Sequence, residues 1–248
     1  MDYTIQLEKI QQAVGILQEK NIDAWLTFVR ETEHNADPAL PLICPVNVTW
    51  HTALLITKSG YKVAIAGRYE IVNFERMGCW DECIKYDQSI QPALLEVLDR
   101  LAPQQIAVNY SESDTAADGL SHGMYLTLQR YLAGKPYQII SAEGILNSLR
   151  GRKTPAEIAR IRAAVALTDD IIGRITKYLK PGLSELEIAN YVHGEYAKEG
   201  VIPSWDTAYC PTVTVGPDSP QGHVSPSAEY DTAPGNTVRI DQGVVLND

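Results

Sequence analysis

The sequence predicts an α/β amino-terminal domain over residues 1–147, followed by an α+β region over residues 148–248. Three observations carry this. Strand-like and helix-like patterns alternate as far as about residue 145, which is how a layered α/β domain reads. Two capping boxes then open two consecutive long helices. Beyond them, short strand-like runs are separated by a stretch rich in Gly, Pro, Ser and Asp, the punctuation of an antiparallel region.

The elements follow in chain order. Ile5, Ile10, Val14, Ile16 and Leu17 fall on one broad helical face that ends near Asn21. Residues 24–29 read as a buried strand. The polar, proline-punctuated stretch 30–45 reads as a long loop, which in a compact domain is functional, mobile or plain variable surface. Residues 52–57 and 61–66 flank Lys58-Ser59-Gly60 as a β-hairpin. Helical patterns at 69–78, 90–101 and 119–133 then alternate with strand patterns at 83–87, 105–110 and 137–141. A boundary is expected over 148–153. Thr154-Pro155-Ala156-Glu157 is a capping box with proline at the first helical position. The stripe Ile158, Ile161, Val165, Ile172, Ile175 and Leu179 continues that helix to Pro181-Gly182. Ser184 and Glu187 make the second box, with Leu183 and Ile188 spaced as a hydrophobic staple, and this helix runs to about Gly200. Residues 213–215 and 237–246 are strand-like.

The composition is that of a globular protein. Of 248 residues, 45% are hydrophobic and 21% charged, which excludes a disordered, collagen-like or disulfide-scaffold chain. Lys+Arg 21 against Asp+Glu 31 gives a net charge of −10. Residues 1–150 hold 12 basic and 18 acidic side chains, and residues 151–248 hold 9 and 13. Neither half hides a basic module, so nucleic acid and anionic membranes are not expected partners. No run approaches the roughly 18 apolar residues of a membrane span. The amphipathic start does not read as a signal peptide. Cys44, Cys79, Cys83 and Cys210 lack paired spacing and read as buried free thiols, which fits a reducing cytoplasm.

Chemistry concentrates between Thr212 and Asp248. His223 lies in GPDSPQGHVSPS, too polar and turn-prone for a core segment, so its imidazole is available to a ligand. Taken alone, such a histidine is more often plain surface. His34 and His122 read as surface, His51 as a strand flank and His193 as an exposed helix position. Asp241 is odder, being a carboxylate inside an apolar run. Buried, it would need a partner or a metal. By alternation it shares a face with Arg239, so a solvated ion pair and a metal ligand both remain open.

Four motifs fall in order: Arg152-Lys153-Thr154-Pro155-Ala156-Glu157-Ile158 with Ile161-Arg162-x-Ala164; Pro181-Gly182-Leu183-Ser184-Glu185; Gly216 with the later His223-x-x-Pro226; and Pro234-Gly235-Asn236-x-Val238-x-Ile240-Asp241-x-Gly243. Together they resemble the opening of the pita-bread metallopeptidase catalytic domain, the family of Xaa-Pro dipeptidase, aminopeptidase P, methionine aminopeptidase and creatinase. The preceding domain is similar to the creatinase/prolidase amino-terminal domain, which places the chain nearest the Xaa-Pro branch. The resemblance implies a proline-containing peptide substrate, a homodimer, and two divalent metal ions (Mn, Co or Zn) in the complete protein. Carried over, Asp241 matches the first metal-binding aspartate and His223 the substrate-side catalytic histidine, which stabilises the tetrahedral centre.

The chain departs from the family at Asn236 and Gln242, and neither change removes a ligand. The family's later ligands are expected past the last residue, and Asp248 does not match the second aspartate by position. Residues 148–248 are therefore expected to be an incomplete pita-bread domain that binds no metal stably alone. Two other readings fit the same scaffold: a metal-free creatinase-like C–N hydrolase, and a non-catalytic binding or dimerisation module.

Overall fold

The structure, a computed structural model, describes residues 2–246. The chain divides into two compact units, Met1–Ala156 and Glu157–Asp248.

The first unit is built on six strands: β1 (Ala24–Val29), β2 (Thr52–Thr57), β3 (Lys62–Gly67), β4 (Glu82–Tyr86), β5 (Gln105–Val108) and β6 (Gln138–Ser141), in the order β4-β3-β2-β1-β5-β6. β2 runs antiparallel to β1 and β3, while β1–β5, β5–β6 and β3–β4 pair in parallel. Every residue of β1 is buried, because helices cover both faces of the sheet. Trp25 and Val29 point into one core with α1 (Thr4–Lys20), α2 (Leu40–Ile43), α3 (Ile71–Met77) and α6 (Glu143–Gly151). Leu26 and Phe28 point into the other, with α4 (Gln91–Leu101) and α5 (His122–Tyr131). The expected α/β class is what forms. Asn21 closes α1 in the left-handed conformation (φ 52°), and Gly60 turns the β2–β3 hairpin at φ +93°.

Two features differ from expectation. The stretch 30–45 is anchored rather than open: it contains α2, and Asp37 within it is fully buried. The Asp37 carboxylate accepts from the Ala39 amide at 2.8 Å and from Asn109 Nδ2. Asn109 also accepts from Trp25 Nε1 at 2.6 Å, tying this loop to β1. Secondly, α6 runs through the expected 147/148 boundary. Ile145, Leu146 and Leu149 bury one face of α6 in the first core, so the compact unit continues to Ala156. Lys9 of α1 is wholly buried and donates to the Leu149 carbonyl at 2.5 Å and the Arg152 carbonyl at 3.0 Å, at the carboxyl end of α6.

The second unit carries α7 (Pro155–Tyr178), α8 (Glu185–Glu199) and four short strands, β7 (Ile202–Pro203), β8 (Thr212–Val215), β9 (Val238–Asp241) and β10 (Val244–Val245). β8 pairs antiparallel with β9 and β7 with β10, which is the expected α+β arrangement. The strand pattern at 237–246 splits at Gln242-Gly243. Ile171 and Ile175 of α7 are buried, whereas Ile158, Ile161 and Val165 are exposed, so the apolar stripe is covered only in its second half. The second capping box forms as expected. The Glu187 amide donates to Ser184 Oγ at 3.2 Å, and the Ser184 amide donates to Glu187 Oε2 at 2.8 Å. Leu183 and Ile188 meet in the core beneath it.

Candidate functional site

The first turn of α8, the loop 216–231 and the β8–β9 pair make up the region to which the sequence assigns chemistry. Leu183 and Ile188 seat the start of α8 against Val213 and Val215 of β8. That packing brings Glu185, on the first turn, under the loop. Glu185 is 2% exposed. Its Oε1 accepts from the Val215 amide at 3.1 Å and from Ser219 Oγ at 2.5 Å. Its Oε2 accepts from the Ser227 amide at 3.1 Å. Backbone bonds close the same seam, the Leu186 amide donating to Ser227 O at 3.0 Å and the Glu185 amide to Tyr230 O at 3.2 Å.

His223 sits on this loop and is exposed. Among the described residues its ring makes no hydrogen bond or ion pair, so it faces solvent with both nitrogens available. Asp241 is the last residue of β9, paired in register with Thr212. Its side chain is 56% exposed, with Oδ2 3.4 Å from Arg239 Nη2. The geometry is that of a solvated, loosely paired carboxylate. No contact joins His223 to Asp241 among the described residues. Asp248 lies outside them.

The residues around Asp241 explain both departures from the family pattern. Gln242 accepts from Tyr196 OH at 2.6 Å and donates to the Thr168 carbonyl at 3.2 Å, clamping the end of β9 to α8 and α7. Burial, with the Cys210 thiol beside it, holds the Tyr196 hydroxyl well above the usual phenol range. Gly243 approaches Ser204 closely, and a Cβ there would lie 2.8 Å from Ser204 Oγ, which would have to turn aside. Asn236 closes the Pro234-Gly235 turn, its Oδ1 accepting from the Ala233 amide at 2.9 Å.

The other candidates are structural. His193 is half-buried rather than exposed, its Nε2 2.7 Å from the Cys210 carbonyl. His51 stacks on Phe28 at 5.8 Å, and burial, helped by Arg30, lowers its pKa. The cysteines are free thiols; Cys44, Cys79 and Cys210 are buried and Cys83 is half-buried. Burial pushes the Cys44 thiol up to about 12 and Cys79 to about 11, so these two stay protonated and inert. Among the described residues, no group of three or more His, Cys, Asp or Glu side chains is placed to hold a metal ion. Asp241 is thus a single candidate ligand, and the described residues do not by themselves fit a dinuclear centre. No helix among them is long and apolar enough to cross a membrane.

Glu185 is the residue that sequence reasoning passed over. It was visible as an acidic residue on the first turn of a capped helix, a position that normally faces solvent. Only the fold of the loop back over α8 shows it buried.

Comparison with known proteins agrees with the motif reading. Residues 159–248 match the model of metallopeptidase family M24. A Mycoplasma genitalium protein designated an Xaa-Pro aminopeptidase is 27% identical over 139 residues, covering 53% of this chain and 37% of its own length. An uncharacterised peptidase of Staphylococcus haemolyticus is 25% identical over 236 residues, 89% of this chain and 61% of its own. Among solved structures, an Xaa-Pro dipeptidase from Bacillus anthracis superposes with a TM-score of 0.66 at 22% identity, over 96% of this chain and 61% of that one. The chain therefore spans between about two fifths and three fifths of the length of these proteins. The pita-bread resemblance and the fold class, an α/β domain followed by the first part of an α+β catalytic domain, are borne out.

Proposed function

We propose, from the match of residues 159–248 to metallopeptidase family M24, that this protein is an Xaa-Pro-type peptidase hydrolysing the bond before proline. That match is the observation that carries the reading. The names of the Mycoplasma genitalium and Bacillus anthracis proteins support the substrate class. The first compact unit acts as the creatinase/prolidase-like domain and the second as the opening of the catalytic domain, divided at Ala156/Glu157 rather than at 147/148. In the complete protein the enzyme works as a homodimer in the cytoplasm with two divalent metal ions, Mn, Co or Zn, which this chain alone does not bind stably.

Within this reading Asp241 is one metal ligand, and its place at the exposed end of β9 leaves its oxygens accessible. Metal ions of this kind supply an activated water and polarise the scissile carbonyl. The part played by this chain's own residues is narrower. His223 presents a ring N–H from an exposed loop to the carbonyl oxygen that gains charge as the bond is attacked.

The test is hydrolysis by the complete gene product supplied with Mn²⁺ or Co²⁺, given an Xaa-Pro dipeptide and an Xaa-Pro-Xaa tripeptide. Release of the amino-terminal residue from either supports the proposal, and which substrate is cleaved separates dipeptidase from aminopeptidase. Inertness towards both rejects it.

A further inference from the structure

The Glu185 carboxylate has a role that packing alone does not require. Its three donors are placed about His223: Ser219 is four residues before it and Ser227 four residues after, with Val215 at the root of the first limb. Both carboxylate oxygens face donors, two on Oε1 and one on Oε2, and all three donors are neutral. An amide of the same shape cannot satisfy this arrangement, since one of its two positions would meet a donor with a donor. The site is also dry: Glu185 and Ser219 are 2% and 3% exposed, so water does not substitute freely for a lost partner.

We infer that Glu185 is the positioning residue for His223, its carboxylate tying both limbs of the loop to the first turn of α8 so that the backbone carrying the imidazole is held in one place. This rests on the proposed peptidase reading only for what His223 then does. A loop of this length with Gly, Pro and Ser throughout would otherwise sample many conformations, and each would carry the ring away from a reacting carbonyl. Glu185 itself touches no substrate; it acts through the loop.

The experiment compares wild type, Glu185→Gln and Ser219→Ala by amide hydrogen exchange and by the backbone amide resonance of His223 in ¹⁵N-histidine-labelled protein. In Glu185→Gln, exchange over 216–231 is expected to rise at least tenfold while α8 beyond its first turn keeps its protection. The His223 backbone amide signal is expected to move towards that of a mobile loop. Ser219→Ala, which leaves the helix untouched, should give the same change at smaller amplitude and decides the matter if Glu185→Gln does not fold. Unchanged exchange and unchanged His223 signals in the folded variants overturn the inference. In parallel, hydrolysis of an Xaa-Pro peptide by the Mn²⁺-supplied protein should show kcat falling at least tenfold in Glu185→Gln with KM changed less than threefold. A KM effect alone also overturns it. A wild type inert to every such peptide sinks the peptidase reading, while the exchange and amide-resonance measurements still judge the anchoring.

Discussion

Asn109 Nδ2 lies 3.0 and 2.9 Å from the two carboxylate oxygens of Asp37, so one side-chain amide holds a fully buried acid and the loop that bears it. Removing that amide in Asn109→Ala leaves the carboxylate short of its donor and should cost about 1–3 kcal/mol. Urea unfolding measures this, and an unchanged midpoint would show that the loop is held elsewhere.

The same acid predicts a pH dependence. Desolvation raises the Asp37 pKa above 3.8, against the hydrogen bonds from Asn109 and Ala39 that lower it. Between the unfolded value and the raised folded one, the folded state holds a proton that the unfolded chain has released. Stability from this group therefore falls as pH rises through that window. Asp37→Asn cannot ionise, so its stability relative to wild type should increase as pH is raised from 3.5 towards neutrality. A difference that is flat with pH contradicts the assignment.

Ser184→Ala removes the hydroxyl that accepts from the Glu187 amide. Loss of an N-cap of this kind costs about 1 kcal/mol. Chemical denaturation of the second unit's helices, followed by circular dichroism, should show it.

Asp241 and Tyr196 separate function from stability. Asp241 is exposed, and its one ion-pair partner among the described residues, Arg239, is 3.4 Å away, so Asp241→Ala should leave the urea midpoint unchanged while abolishing hydrolysis by the metal-supplied protein. Tyr196→Phe is expected to do the reverse. It strands Gln242 Oε1 at a half-buried position and should lower stability by about 0.5–1.5 kcal/mol. If Asp241→Ala kept full activity, its assignment as a ligand would fail.

Most of the fold was legible because its signals are local. Residues 24–29 are apolar except for Thr27, and that run marks a strand covered on both faces. Ser184 and Glu187 announce a helix start by chemistry confined to four residues. What was not legible depends on pairs far apart in sequence. Nothing near Asp37 foretells Asn109, and nothing in the α8 motif foretells Ser219 or Ser227. The continuous strand pattern at 237–246 hides a break at Gln242-Gly243, where Gly243 comes close to Ser204. His223 and Asp241 were found through motif order rather than periodicity, because an exposed histidine and an exposed strand-end carboxylate carry no packing signal of their own.

The buried Lys9 links the beginning of the first unit to its end. Two of its acceptors, the Leu149 and Arg152 carbonyls, are made some 140 residues later. At a synthesis rate of about 5–20 residues per second, they follow Lys9 by roughly 7–30 s. During that interval α1 has neither α6 to pack against nor those carbonyls for its ammonium. A nascent chain halted before residue 149 should therefore leave α1 open to protease, and one halted late enough for residue 152 to clear the ribosome should protect it.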